Sequence, residues 1–228
     1  MILYAIPTPL GAAAADSLPQ SVLDTVRTLK DFAVENAKSA RAFLKDAGCD
    51  VHALSIVEIH HESESLLTPL REGRPLGLLS EAGCPAIADP GAAIIEAAHR
   101  EGFRVVPLVG PSSIALALMA SGLEGQRFAF CGYLPREPLK RKMRIKELEN
   151  RSLREDETEI FIETPYRNEA MLAALLETCR DTTRLCVAAD LTLASEAVVT
   201  KSVAEWRRHP VEIGRRPAVY LFLAKSDR

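Results

Sequence analysis

Cysteine is scarce in this chain, and paired cysteine motifs are absent. The five cysteines form no CxxC pair, and an odd number cannot all be joined within one chain. All but Cys84 lie in or beside apolar runs. The pattern indicates reduced thiols, so we expect neither a disulfide framework nor a zinc site, and we predict no other metal site.

Long apolar runs and a strong excess of either charge are also absent. No stretch approaches the length of a membrane span, and the first residues, MILYAIPTP, lack the basic region and cleavage site of a signal peptide. The net charge of −3 does not suit a polycation that coats nucleic acid. We therefore expect a cytoplasmic protein without membrane contact. Its 228 residues, 47% of them hydrophobic, suffice for one large or two small domains.

Three common site motifs are missing. The chain has no GxGxxG fingerprint, no GxxxxGK[ST] loop and no GxSxG elbow. Dinucleotide binding, triphosphate binding and hydrolysis by a serine nucleophile are therefore poorly supported. Ser112 and Ser113 are better interpreted as a helix cap or as ligand contacts.

The most informative stretch that is present is 76–91, LGLLSEAGCPAIADPG. Its apolar start, bounded by Gly and Pro, predicts a buried strand. Asp89 and Pro90 predict a helix start, with Asp89 as the cap. A second such unit follows, with a Gly-Pro-Ser-Ser turn at 110–113. Units of this kind build parallel sheets that bind ligands at the carboxyl ends of their strands. The predicted elements are strand 76–79, helix 91–102, strand 104–108 and helix 114–122.

Strand and helix patterns alternate through the rest of the chain. We predict an α/β protein with two α/β domains, residues 1–112 and 113–228. Further strands are predicted over 2–6, 32–34, 53–59, 128–134, 159–163, 185–189, 197–200 and 218–224. Further helices are predicted over 17–29, 37–47, 64–72, 136–154, 167–180 and 203–208.

Two charged stretches suggest sites of different kinds. His60 and His61 stand beside acidic residues, but neighbours on a strand point to opposite faces and cannot easily share a metal ion. Residues 136–154 carry eight Lys or Arg against three Glu. Such a surplus could contact RNA phosphates, although many charged helices are only solvated faces, and both interpretations stay open. The candidate RNA contacts are Arg136, Lys140, Arg141, Lys142 and Arg144.

Several motifs in order point to one family. They are Thr8-Pro9-Leu10-Gly11, the stretch 80–91, Gly110-Pro111-Ser112-Ser113, Gly132-Tyr133-Leu134-Pro135 and the stretch 161–167, FIETPYR. With them the sequence resembles the tetrapyrrole methylase superfamily of S-adenosylmethionine-dependent methyltransferases. It is most similar to the branch that contains the ribosomal small-subunit RNA (cytidine-2′-O)-methyltransferases.

The resemblance implies a fold, a cofactor and an assembly. It implies two α/β domains with S-adenosylmethionine in the cleft between them, and a homodimer. It also implies the residues that contact the cofactor. They are Pro9, Ser80, Ala82, Gly83, Ile87, Ala88, Asp89, Ser112, Ser113, Leu191, Pro217 and Ala218.

Three functions stay open at this point. They are methyl transfer to ribosomal RNA at a ribose 2′-oxygen, methyl transfer to a small molecule such as a tetrapyrrole, and cofactor binding without catalysis. The chain departs from the ribosomal branch after its second strand, where an acidic-Asp-Thr-Arg motif is replaced by residues 35–38, ENAK. An alcohol acceptor would need a general base. The candidates are Glu35, Lys38, Glu62 and Glu163.

Overall fold

The computed structural model describes residues 1–59, 65–209 and 211–225. The chain divides into two compact units, Met1–Ser112 and Ser113–Arg228. Each unit consists of a five-stranded sheet covered by helices, which confirms the predicted α/β fold class. No helix in these described ranges is long and apolar enough to cross a membrane.

The first unit is built on a parallel sheet. The strands are β1 Ile2–Ile6, β2 Asp31–Val34, β3 Ser55–Glu58, β4 Leu76–Leu79 and β5 Arg104–Pro107. The helices are α1 Ala14–Ser17, α2 Gln20–Thr28, α3 Ala37–Asp46, α4 Thr68–Arg71 and α5 Ala92–Arg100. The strand order is β3-β2-β4-β1-β5, and every pair is parallel.

Both faces of this first sheet are buried. Phe32 packs into a cluster with residues of α2 and α3, whereas its neighbour Ala33 packs into a second cluster with residues of α4 and α5. Successive side chains of a strand point to opposite faces, so a sheet covered on both sides needs continuous apolar strands. This requirement explains the short unbroken apolar runs of β1, β2 and β4.

The helix predicted over 17–29 is divided in the structure. α1 ends at Ser17, and α2 begins at Gln20 with Pro19 as its N-cap. Leu18 is extended, at φ −121° and ψ 141°. A proline disfavours helical backbone in the residue before it, so the chain breaks at this point.

The second unit has a mixed sheet. Its strands are β6 Phe128–Tyr133, β7 Thr158–Glu163, β8 Arg184–Ala189, β9 Ala197–Ser202 and β10 Ala218–Leu223. Its helices are α6 Ser113–Ser121, α7 Pro138–Glu155, α8 Asn168–Thr178 and α9 Val203–Arg208. The order is β6-β7-β10-β8-β9, and β10 is antiparallel to both neighbours. The carboxyl ends of β6, β7 and β8 therefore lie at one edge with the amino end of β10.

Aromatic residues fill the core of the second unit. The ring of Phe161 stacks on Tyr220 at 5.6 Å between centroids and meets Phe222 edge-on at 5.9 Å. Trp206 is buried, and its indole Nε1 donates to the carbonyl of Leu185 at 2.9 Å. Pairing the indole N–H avoids the cost of burying an unsatisfied donor.

Candidate functional site

The carboxyl edge of the first sheet is the natural place for a ligand. β1 and β4 are adjacent, but the chain leaves β1 toward one side of the sheet and leaves β4 toward the other. Loops that diverge in this way open a crevice outside the strand ends. Two segments lie at this edge of the sheet. They are the turn after β1 and the loop of residues 80–91 after β4, which we call the central loop.

Backbone hydrogen bonds hold the central loop against the turn after β1. The N–H of Thr8 donates to the carbonyl of Gly83 at 2.9 Å, and the N–H of Gly83 donates to the carbonyl of Thr8 at 3.0 Å. The hydroxyl of Ser80 also donates to the carbonyl of Gly83, at 3.1 Å. The thiol of Cys84 donates to the carbonyl of Pro111 at 3.4 Å, so the loop after β5 joins the same assembly.

The central loop has an unusual backbone. Gly83 has φ 83°, and Ala86 and Ala88 both have φ 66°. Positive φ is uncommon outside glycine, and strained backbone of this kind is concentrated at functional sites. The prediction that Asp89 caps α5 was wrong. The helix begins at Ala92, and Gly91 is its N-cap at φ 126°, because glycine alone adopts that conformation readily.

The exposed surface of the central loop fits a nucleoside cofactor. Ile87 is 49% exposed, and Ala82 and Ala88 are exposed beside it, although aliphatic side chains are usually buried. An adenosine group needs apolar walls and few polar contacts, and exposed aliphatic side chains are suited to one such wall. Ser80, by contrast, is buried and already hydrogen-bonded, so it shapes the loop from within.

The predicted cofactor residues of the second unit lie together. The N–H of Asp190 donates to the carbonyl of Pro217 at 3.0 Å, and Ala189 pairs with Ala218 across β8 and β10. Leu191 follows directly and is buried. Ser112 is the last residue of the first unit, and Ser113 is the first residue of α6.

Three carboxylates stand at the carboxyl edge of the first sheet. Glu35 Oε2 accepts the N–H of Glu81 at 2.9 Å, and Glu81 Oε1 accepts the hydroxyl of Ser39 at 3.4 Å. Burial, together with the charges of Glu35 and Glu81, raises the pKa of Asp89 to about 6. Glu35 thus lies at the candidate site. Within the described chain, no group of three or more His, Cys, Asp or Glu residues could hold a metal ion.

The other candidate bases differ in their surroundings. Lys38 is exposed in the first turn of α3, where its backbone N–H donates to the cap Asn36. Glu163 is buried, and its Oε1 accepts Arg167 Nε at 2.8 Å and the N–H of Thr164 at 2.6 Å. A carboxylate held by an arginine in the interior favours a positioning role over that of a base. Glu62, His60 and His61 lie outside the described residues.

Most Lys and Arg residues of the stretch 136–154, which includes α7, already form ion pairs with acidic residues. Lys142 pairs with Glu177 at 2.5 Å, and Arg144 pairs with Glu147 at 3.1 Å. Arg141 is only 7% exposed, which leaves little of its guanidinium accessible to a phosphate. Arg136 and Lys140 are exposed and form no ion pair with any residue that the structure describes. They remain available for an anionic ligand.

Sequence reasoning did not single out one further contact. The guanidinium of Arg215 lies over the ring of Tyr166, 5.3 Å from its centroid. The two residues are far apart in sequence, and no local pattern predicts their contact. In the sequence, Tyr166 is notable only as a member of the family motif at 161–167.

The raised pKa of Asp89 leads to a prediction for stability. In the folded chain Asp89 keeps its proton to higher pH than in the unfolded chain, so the free energy of unfolding falls as pH rises from about 4 to 6. Asp89→Asn removes this penalty. After allowance for partial exposure, we expect it to add about 1 kcal/mol at pH 8 and nothing below pH 4.

Urea unfolding of the wild type and the variant across this pH range measures the difference. Asp16→Asn, which changes an exposed carboxylate on α1, is the matched control and should show no such pH dependence. An Asp89→Asn effect that is equal at pH 4 and pH 8 would contradict the assignment.

Comparison with known proteins gives consistent matches. The family model for Tetrapyrrole (Corrin/Porphyrin) Methylases matches residues 5–206. The chain is 31% identical over 206 residues to Ribosomal RNA small subunit methyltransferase I of Escherichia coli O157:H7, covering 89% of this chain and 70% of that protein. It is 33% identical over 205 residues to the protein of the same name from Xylella fastidiosa, covering 89% and 72%. The solved structure of diphthine synthase has the same fold, with a TM-score of 0.64 at 17% identity over 98% of this chain and 90% of that one.

Proposed function

Because this chain belongs to the tetrapyrrole methylase family and is a methyltransferase, we propose that it methylates RNA of the small ribosomal subunit at a ribose 2′-hydroxyl, with S-adenosylmethionine as the methyl donor. The observation that carries the proposal is the likeness to two rRNA methyltransferases over 89% of the chain. We also propose a homodimer and a cytoplasmic location, which rest on the family and on the proposed substrate.

The protein does not need to activate the methyl group, so its residues serve mainly to bind and align the two substrates. S-adenosylmethionine, when bound, supplies a methyl group that is already activated on a sulfonium. The central loop, with Ile87 and Ala88 exposed, would hold the adenosine. The protein would mainly align the acceptor oxygen and exclude water.

A ribose hydroxyl must lose a proton during methyl transfer. Glu35 fits this role best among the candidates in the described chain. It stands at the carboxyl edge of the first sheet, is half-buried, and is oriented by the N–H of Glu81. Lys38 is close in sequence and is the second choice, whereas Arg167 neutralises Glu163 in the interior of the second unit.

The test uses the methylation product itself. Small-subunit RNA from a deletion strain is incubated with the purified chain and methyl-labelled S-adenosylmethionine. We expect label at one nucleotide, with resistance to alkaline cleavage on its 3′ side, because a methylated 2′-oxygen cannot attack the phosphate. Label in a small-molecule fraction of the cell extract would favour the small-molecule methyltransferase instead. Labelled RNA that is still cleaved by alkali would place the methyl group on a base.

The available cations of α7 give a quantitative prediction. Arg136 and Lys140 can act as phosphate contacts, which carry no sequence information. The double variant Arg136→Gln/Lys140→Gln should weaken RNA binding evenly across sequences. It should reduce the slope of log affinity against log salt by about 1.4, or about 0.7 per lost contact with single-stranded RNA.

The control removes equal charge near the carboxyl end of α7, from Arg154 on the helix and from Arg127, which directly precedes β6. Arg127 and Arg154 are exposed and pair with Glu155, so Arg127→Gln/Arg154→Gln should leave the salt slope nearly unchanged. RNA affinity measured over a salt series distinguishes the two pairs. Equal slopes for both double variants would argue against a phosphate contact at the start of α7.

A further inference from the structure

Tyr166 presents an aromatic ring to solvent. It is 79% exposed, the highest value among the large apolar side chains of the described residues. Tyrosine normally covers most of its ring and leaves only the hydroxyl wet. The exposed ring is therefore accessible for stacking on another planar group.

The backbone beneath Tyr166 is rigidly held. Pro165–Arg167 form one turn of 3₁₀-helix, and the Arg167–Glu163 ion pair ties this turn to the end of β7. Asn168 follows and is fully buried. Its Oδ1 accepts the hydroxyl of Tyr220 at 3.1 Å, so the core fixes the orientation of the amide. The ring of Tyr166 is therefore carried by an ordered support.

The same asparagine positions Arg215. Asn168 Nδ2 donates to the carbonyl of Gly214 at 2.9 Å and to the carbonyl of Arg216 at 2.8 Å. These two bonds hold the residues on either side of Arg215 against the turn of Tyr166. As a result the guanidinium of Arg215 lies 5.3 Å from the ring centroid. Arg215 is exposed and forms no ion pair with another described residue.

The location also suits a substrate contact. Tyr166 lies three residues after β7, and Arg215 lies three residues before β10. Both therefore stand at the edge of the second sheet that also carries Leu191 and Pro217, two of the residues implied in cofactor binding. Tyr133, at the end of β6, is a further exposed aromatic residue at this edge.

We propose that Tyr166 and Arg215 form a stacking platform for a nucleobase of a single-stranded RNA substrate. The proposal rests on the proposed RNA methyltransferase function and adds a base-binding site to it. An aromatic ring and a planar guanidinium both stack on bases, and such stacking tolerates any sequence. The positive charge of Arg215 would also attract the adjacent phosphate.

The experiment compares two probes by fluorescence anisotropy. One is a short unstructured RNA oligonucleotide, and the other is an abasic ribose-phosphate chain of equal length. Tyr166→Ala should weaken binding of the intact RNA about tenfold and of the abasic chain less than twofold, because only the first can stack. Tyr166→Phe keeps the ring and should bind both probes within about twofold of the wild type.

Arginine variants separate stacking from charge. Arg215→Ala and Arg154→Ala each remove one exposed cation, and Arg154 pairs with Glu155 at the carboxyl end of α7. Arg215→Ala should weaken binding of the intact RNA several-fold more than Arg154→Ala does. Circular dichroism and thermal unfolding of every variant verify that the fold is intact.

The outcomes are distinguishable. Wild-type methylation of RNA together with unchanged binding by Tyr166→Ala would overturn the platform and leave the proposed function standing. Equal losses on both probes would also overturn it, as would a loss of S-adenosylhomocysteine binding in calorimetry without loss of RNA binding. Absence of RNA binding by the wild type would remove the proposed function and the platform together.

Discussion

Arg151→Met is expected to lower the free energy of unfolding by about 3 kcal/mol at pH 7, because it leaves a carboxylate unpaired in the interior. Glu159 is fully buried in β7. Arg151 Nε donates to its Oε1 at 2.7 Å, and Arg151 Nη2 donates to its Oε2. The thiol of Cys131 donates to Oε2 at 3.1 Å. Burial, reinforced by Glu159, raises the pKa of Cys131 to about 11, so the thiol keeps its proton and remains a donor.

Urea unfolding of three variants identifies the cause. Arg154→Met changes an exposed arginine on the same helix and should cost less than about 1 kcal/mol. The double variant Arg151→Met/Glu159→Leu should recover most of the loss, since an apolar pair needs no compensation. A deficit that is not recovered in the double variant would show that packing, and not charge, is responsible.

The strands were predictable from sequence because their signals are local. The apolar run of β1 ends before Pro7, and that of β4 ends before Ser80, at the start of the loop that contains Gly83. Both strands have the predicted bounds, Ile2–Ile6 and Leu76–Leu79. A buried parallel strand needs an unbroken apolar run, and glycine and proline mark where it ends. The order of the strands is set by contacts between distant segments, and no local pattern encodes it.

The contacts between charged groups were not predictable for the same reason. Lys142 pairs with Glu177 on another helix, and Arg151 pairs with Glu159 on a strand. Composition alone therefore overstated how many cations of residues 136–154 are free of an acidic partner. The predicted cap of α5, Asp89, was wrong for a different reason. Asp89 and Pro90 are a sound local helix signal, but the backbone at Gly91 turns once more before the helix starts.

Gly83→Val is expected to weaken binding of S-adenosylhomocysteine by about a hundredfold from a micromolar wild-type value, with one site per chain. Gly83 is buried at φ 83°, a conformation that β-branched residues adopt only as outliers. A Cβ atom there would also lie 3.2 Å from Leu10 Cδ2. We expect the backbone at 83 to shift to relieve the strain of valine at this φ, and the shift should weaken the paired hydrogen bonds with Thr8 that hold the central loop.

Gly102→Val separates this local effect from general strain. Gly102 has φ 74° before β5, and a Cβ atom there would meet nothing within 4 Å. It lies at the amino end of its strand, away from the carboxyl edge where the central loop stands. Both variants should lose similar thermal stability, because both place valine at positive φ, but calorimetry should show lost ligand binding only for Gly83→Val. Equal affinity in the two variants would mean that the central loop does not hold the cofactor, and the candidate site would have to lie elsewhere in the chain.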